Sequence, residues 1–314
     1  MIILSMKHTP DIILQCQTKK KMMKTKPLII SIAAFLIGAA ATNARIIRRQ
    51  LNILQTNVPE TKTLAEGYLE FIYDYTFNAD TLYNSQTDRE KMLLQVGTDG
   101  ISKYSSLKNI VADSIIPTLS QEELVKNAER LANGPFINIV KNHSAGKITH
   151  TEKIALDWFK YEEDIPQFDW TLTDSVRTVL GYECRQAKCR FRGRDWTVFY
   201  TEEIPVMDGP WKLCGLPGLI MSAHDEKSLY AFECIGVKSN TSRPITIYDV
   251  SYNETNRKKF YDTLHRYESN PYGYAETVSG IHVTITDNAG NPDPTAYDPI
   301  ELGYDYLERD WREK

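Results

Sequence analysis

What the sequence lacks narrows the reading first. Its 314 residues hold no G-x-S-x-G elbow, no H-E-x-x-H helix, no Walker loop and no dinucleotide fingerprint. The compact signatures of serine hydrolases, zinc proteases, nucleotide-dependent enzymes and nicotinamide enzymes are therefore missing. Cysteine is scarce, with five in all and no CxxC pair, which argues against a thioredoxin-like redox centre and against a structural zinc site. His143 and His150 stand seven apart without Cys or acidic neighbours in a ligand pattern, so no metal is expected, and no motif calls for a cofactor. Past the first 44 residues there is no second apolar run long enough for a membrane span. An excess of basic charge is also lacking.

What is present begins with a basic cluster, Lys19, Lys20, Lys21, Lys24 and Lys26, followed by an apolar run from Leu28 to Ala41. Gly38, Ala39, Ala40, Ala41 and then Thr42-Asn43-Ala44 close it with small residues. This is the pattern of a secretory signal, with cleavage expected after Ala41 or Ala44 and an exported product soluble in the periplasm or cell envelope. Removing residues 1–44 takes away six Lys and one Asp, leaving 31 basic against 40 acidic residues and a formal charge of −9. An acidic surface excludes nucleic acid as the natural partner and disfavours anionic lipid head groups. The remainder, 45–314, reads as a single domain, with no repeat and no low-complexity linker.

The 18 Tyr and 10 Phe favour strands over a helical bundle. Leu64–Phe77 reads as a long strand. Met92–Val96 and Ile101–Leu107 flank Gly97-Thr98-Asp99-Gly100, a hairpin signal. Ser120 with Glu123 three residues on forms a capping box for a helix through about Ala132. Strands are expected at Phe136–Lys141, Lys147–Thr151 and Ile154–Tyr161. Tyr182–Phe191 and Arg194–Thr201 flank Arg192-Gly193, and Leu219–Ala223 and Leu229–Val237 flank a second turn. The last of these strands is apolar on alternate positions of both sets, so both of its faces are expected to be covered. A polar helix is expected over Glu254–Tyr267 with Phe260, Leu264 and Tyr267 as its stripe, stopped at Asn270-Pro271-Tyr272-Gly273; Asn288–Pro299 reads as irregular. The fold class is mainly β (α+β), a curved antiparallel sheet or half-barrel with one or two packed helices.

Between the two hairpins runs Ile204-Pro205-Val206-Met207-Asp208-Gly209-Pro210-Trp211-Lys212-Leu213-Cys214-Gly215-Leu216-Pro217-Gly218-Leu219-Ile220. Pro217-Gly218 suits the centre of a type II turn, with Gly218 at positive φ. Trp211 is the expected anchor of the loop in the core. Gly215–Ile220 spells Gly-Leu-Pro-Gly-Leu-Ile, and here the sequence resembles the exported GLPGLI family of Bacteroidetes. The resemblance covers about Trp158–Gly236 and includes Phe168-Asp169-Trp170, Gly181-Tyr182-Glu183-Cys184, Phe191-Arg192-Gly193-Arg194, Ile204-Pro205 and Gly209-Pro210-Trp211, with a weaker match at Asp298-Pro299-Ile300-Glu301-Leu302. It implies export to the cell envelope and no particular reaction.

The structural motif is thus Gly209, Pro210, Trp211, Gly215, Leu216, Pro217, Gly218, Leu219 and Ile220. Arg192, Arg194, Tyr200, Asp208 and Lys212 are candidates for the rim of a ligand or partner site, against the plainer reading of salt bridges and core anchors. Four cysteines follow the signal, Cys184, Cys189, Cys214 and Cys234, and a Cys214–Cys234 disulfide is the preferred pairing of the three that four thiols allow. The expected function is non-catalytic: a binding or accessory protein for an apolar or amphipathic ligand, such as a lipid or apolar peptide held inside a half-barrel like that of the lipoprotein carriers. The alternatives are a hydrolase with a dispersed active site, or a structural partner of an outer-membrane transporter protein.

Overall fold

The computed structural model describes residues 58–78, 87–127, 134–278, 298–299 and 302–312. The expected signal segment, the end of the helix expected through Ala132 and most of the irregular Asn288–Pro299 stretch lie outside them.

Among the described residues, thirteen strands form one open, mainly antiparallel sheet. In chain order they are β1 (Thr61–Phe77), β2 (Asp88–Gly97), β3 (Ile101–Ser106), β4 (Ile137–Asn142), β5 (Lys147–Ile154), β6 (Asp157–Asp164), β7 (Thr171–Val179), β8 (Tyr182–Phe191), β9 (Arg194–Thr201), β10 (Leu219–Asp225), β11 (Tyr230–Ser239), β12 (Pro244–Tyr248) and β13 (Asn253–Glu254). Among the described residues the α-helices are α1 (Leu107–Ile115), α2 (Gln121–Lys126), α3 (Arg257–Ser269) and α4 (Pro271–Thr277). The spatial order is β13-β6-β5-β4-β3-β2-β1-β11-β10-β9-β8-β7, with β12 paired to β1. Two meanders, β2–β6 and β7–β11, are therefore joined along β1, and the mainly β class holds.

The hairpins follow their turn residues. At the β8–β9 turn Arg192 (φ 52°) and Gly193 (φ 76°) are both left-handed, as a two-residue type I′ connection requires. The β2–β3 turn likewise holds Asp99 at φ 58° and Gly100 at φ 72°. Ser120 and Glu123 form the expected capping box: the Ser120 N–H donates to Glu123 Oε2 at 2.8 Å and the Glu123 N–H to Ser120 Oγ at 3.3 Å.

Four local expectations change. Ile101–Leu107 ends as a strand at Ser106, whose hydroxyl accepts from the Asn109 N–H and starts α1. β7 carries almost no buried residue, so its polar sequence gave no strand alternation. Asn270 ends α3 as expected but also caps a further helix that was not: its side chain accepts from the Gly273 N–H, with Pro271 at the first helical position. On β11, Tyr230, Phe232 and Cys234 are buried, but Ile235 is 43% and Val237 36% exposed, so only one face is covered.

The sheet curls strongly. Arg192, at the tip of the β8–β9 hairpin, pairs with Glu163 on β6, although these strands stand near opposite ends of the strand order. The inner face holds the large core of Phe71, Tyr73, Leu94, Tyr104, Ile139, Trp196, Val198 and Phe232. On the outer face β1 leaves β2 at Gly67 and pairs with β12 instead. Glycine is needed there: a Cβ on Gly67 would lie 2.4 Å from the Arg243 carbonyl oxygen. Lys103 Nζ, on the outer face of β3, donates to the Thr246 carbonyl at 2.8 Å. Among the described residues, no helix is long and apolar enough to cross a membrane.

Candidate functional site

The Ile204–Gly218 loop lies inside the curl. Sheet register explains its path. Ser102, Lys141, Ile148 and Glu163 are successive cross-strand partners on β3, β4, β5 and β6, so their side chains form one row on the inner face. Asp208 meets Ser102 and Lys141 at one end of this row, and Lys212 meets Glu163 at the other at 2.5 Å. Trp211, between them, packs against Phe191 (ring centroids 5.3 Å) and Trp196 (5.6 Å). Leu213, Leu216, Leu219 and Ile220 are buried with it. Trp211 itself is 2% exposed.

Three charge clusters surround the loop. In the first, Asp208 pairs with Lys141, accepts from Ser102 Oγ, faces His143 Nε2 at 3.1 Å and accepts from the Gly209 N–H at 2.7 Å. Lys141 Nζ also donates to the Gly209 carbonyl at 2.8 Å. Burial by itself would push the Asp208 carboxyl up; Lys141 and His143 outweigh it and hold it down at about 2. In the second, Lys212 Nζ reaches Glu308 at 2.5 Å and the Tyr161 hydroxyl at 3.1 Å. Arg257 closes on Glu308 at 2.8 Å and Asp310 at 2.7 Å. Burial opposes the Glu308 charge, yet Lys212, Arg192 and Arg257 bring its carboxyl down to about 2. In the third, Arg194 donates to Asp225 at 2.6 Å and to the carbonyls of Asp305, Tyr306 and Leu307 at 2.8, 2.6 and 3.0 Å. Its guanidinium lies 4.4 Å from the Tyr230 ring centroid.

These positions correct the expected rim. Arg194, Tyr200, Asp208 and Lys212 are 0–2% exposed, and Arg192 is mostly covered by its pairs with Glu163, Glu308 and Asp310. They form the inner packing of the loop. The neighbouring Glu202 and Glu203 are on the surface instead. The disulfide expectation is corrected too. Cys184, Cys189, Cys214 and Cys234 are all free and buried. Cys214 leads the loop across the inner face, its carbonyl accepting from Trp170 Nε1 at 3.2 Å, and Cys234 sits in β11 with its thiol turned to the Gly236 carbonyl. Gly218 does not take positive φ; that conformation belongs to Gly215 (φ 88°) and to Trp211 (φ 54°). Gly218 is needed for a different reason: a Cβ there would lie 2.0 Å from the Thr201 carbonyl oxygen.

Sequence reasoning missed Lys141, Glu163, Asp225, Arg257, Asp305 and Glu308. Each becomes a partner through strand register or through docking of residues 302–312, which no local pattern encodes. The one signal was the interleaving of acids and aromatics in Asp305-Tyr306-Leu307-Glu308-Arg309-Asp310-Trp311, which reads locally as a polar tail.

No protein-family model matches the chain, and no curated protein matches it. Among solved structures, PNGF-II in its P21 and C2 crystal forms is similar over 62% of this chain, at 18% and 16% identity and a TM-score of 0.42 in both. The chain spans only 32% of PNGF-II. A likeness that low carries no argument here.

Chemically, the first cluster holds the residue types of a Ser-His-Asp triad but not its wiring. In a triad the imidazole stands between the hydroxyl and the carboxylate. Here Ser102 and His143 both bond to Asp208, so the imidazole is not placed to take the Ser102 proton. What the arrangement does is neutralise buried charge and fix the loop.

Proposed function

We propose that this chain is an exported cell-envelope protein of the GLPGLI type, cut after its signal segment, that binds an apolar or amphipathic partner without transforming it. The observation that carries this reading is the use made of the loop. Asp208 and Lys212, its two buried charges, are both neutralised by the sheet and by residues 302–312. Carboxyls held near 2 remain ionised across the neutral range and are poor proton donors. They suit a rigid scaffold.

The loop also fills the middle of the curl, where a ligand cavity was expected, so the binding surface moves outward. Among the described residues β7 ends the sheet order, and Leu172, Val176 and the following Leu180 are 61%, 55% and 50% exposed. An unpaired edge with apolar side chains takes an extended apolar or amphipathic segment by strand addition. The partner is accordingly a peptide or a strand of another envelope protein in preference to an acyl chain. The test is titration of fluorescent amphipathic-peptide and fatty-acid probes against the mature chain, beside ester, peptide and glycoside substrates. Saturable peptide binding without turnover, weakened by Val176→Asp, is expected. Turnover abolished by one substitution that leaves the melting temperature intact would replace the reading with an enzyme.

A further inference from the structure

Residues 302–312 are held as a peptide ligand is held. One guanidinium, Arg194, takes three successive main-chain carbonyls, those of Asp305, Tyr306 and Leu307. The Tyr230 hydroxyl adds a second bond to the Asp305 carbonyl at 2.7 Å, and the Arg309 N–H donates to the Arg192 carbonyl at 2.9 Å. Three carboxylates pair with cations of the cleft: Asp305 with Arg194 at 2.8 Å, Glu308 with Lys212 and Arg257, and Asp310 with Arg257. Two rings are seated as anchors. Trp311 stacks on Tyr261 at 5.7 Å, and Tyr306 meets Tyr261 edge-on at 6.1 Å while its hydroxyl donates to Glu268 at 2.5 Å. Main-chain capture, charge readout and buried aromatic anchors are the three components of peptide recognition.

The cleft meets the segment charge for charge. Around residues 302–312 it presents four cations, Arg192, Arg194, Lys212 and Arg257, interleaved with Glu163, Asp225, Glu226 and Glu268; the segment brings Asp305, Glu308 and Asp310 to the cations and Arg309 to Glu226 at 2.6 Å. Residues 279–301 join it to α4. A connection of 23 residues spans at most about 75–80 Å when extended, more than the diameter of roughly 50 Å that a compact domain of this size has. It reaches the same cleft on a neighbouring molecule without altering any contact within the cleft.

We propose that the cleft lined by Arg192, Arg194, Lys212 and Arg257 is a binding site for an acidic, aromatic peptide segment, and that two copies of this chain exchange residues 302–312 across it. The partner is a second copy because the matching segment belongs to this chain, and every bond it makes in its own cleft is reproduced in the partner's. Exchange of a tethered segment needs only local release, so it is favoured by high protein concentration.

The experiment uses the full mature chain. Tagged and untagged preparations are refolded together at high concentration and sized by light scattering. Mixed dimers are expected, which return to monomers when excess synthetic peptide of sequence 302–312 is added, with the far-ultraviolet circular dichroism unchanged. A fluorescent form of the same peptide should bind the full chain saturably and lose roughly tenfold or more in affinity when it carries Glu308→Gln. Because that substitution is made in the peptide, the protein's folding is untouched. Monomers at every concentration with no peptide uptake would overturn the proposal, as would dimers that persist in excess peptide. Either result leaves the β7 reading intact, since β7 takes no part in this cleft.

Discussion

At the residue scale the loop depends on three backbone positions, each for a separate reason. Gly218 is excluded from bearing a side chain by the Thr201 carbonyl, whereas a Cβ on Gly215 would make only an ordinary contact, 3.8 Å from Trp170 Nε1, but on a left-handed backbone. Gly218→Ala should therefore cost more stability than Gly215→Ala, for which the conformational penalty is about 1–2 kcal/mol. Urea unfolding midpoints of the two variants check the order, and reversed midpoints would refute the steric reading. Trp211 pays the left-handed penalty in its own backbone while its ring packs on Phe191 and Trp196. Trp211→Ala should cost about 3–5 kcal/mol. The thiols follow from burial as well: it pushes Cys214 up to about 11 and Cys189 and Cys234 up to about 12. Thiolate, the reactive form, is thereby suppressed. None of the four cysteines should react with a thiol reagent at pH 8 in the native protein, and all four should react in urea; rapid native labelling would contradict the structure.

At the scale of elements, the loop and residues 302–312 hold each other. Lys212→Met leaves Glu308 buried beside Glu163 with one cation fewer, and breaking a buried pair in this way costs about 3–5 kcal/mol. The double substitution Lys212→Met, Glu308→Met should recover much of that loss, because it removes the stranded charge as well. Thermal melts of the two singles and the double complete the cycle, and simple additivity would show that the pair does not interact. The hairpins on either side of this assembly were legible because their turns need particular residues, Arg192-Gly193 above all. The interior was not legible. Lys141 becomes a ligand of the loop only because β4 pairs with β3 in a register that puts it opposite Ser102, and nothing near Lys141 in sequence carries that information. β7 was missed for the opposite reason, since an edge strand with both sides wet has no alternation to detect. The charged residues of the candidate rim belong to the plainer of the two readings, salt bridges, because each is matched by a partner far along the chain that no local pattern names.

Across the whole molecule the buried charges set the response to pH. Asp208 and Glu308 titrate near 2 when folded and near 4 when unfolded. In that interval the unfolded chain binds more protons, so stability falls as pH drops from about 4 to 2, by on the order of 2 kcal/mol per group. Lys103 acts at the other end. Burial, partly offset by Asp113, brings its ammonium down to about 8. From pH 8 to about 10 the unfolded chain keeps a proton that the folded chain has lost, so Lys103 makes stability rise with pH. Above that, Tyr73 and Tyr161, whose hydroxyls burial pushes up, reverse the slope. Urea titrations at stepped pH should show the acid loss in the wild type and a diminished alkaline rise in Lys103→Met. An identical alkaline profile in that variant would exclude Lys103 as its source.

The seam along β1 also determines how the molecule is made. Leu69 pairs with Ser239 and Phe77 with Tyr230, partners more than 150 positions apart, while the strands of each meander find theirs within a short stretch of chain. Long-range pairing must close a large loop of chain before it is rewarded, which makes folding slow. The two meanders are thus expected to form early and separately, each with a raw edge, and to wait for β1 to join them. Amide exchange in pulse-labelled refolding protein should protect β4–β6 and β8–β9 well before the β1–β11 ladder. During that interval the chain is most exposed to aggregation, and the slow step of its biogenesis is the docking of one half against the other.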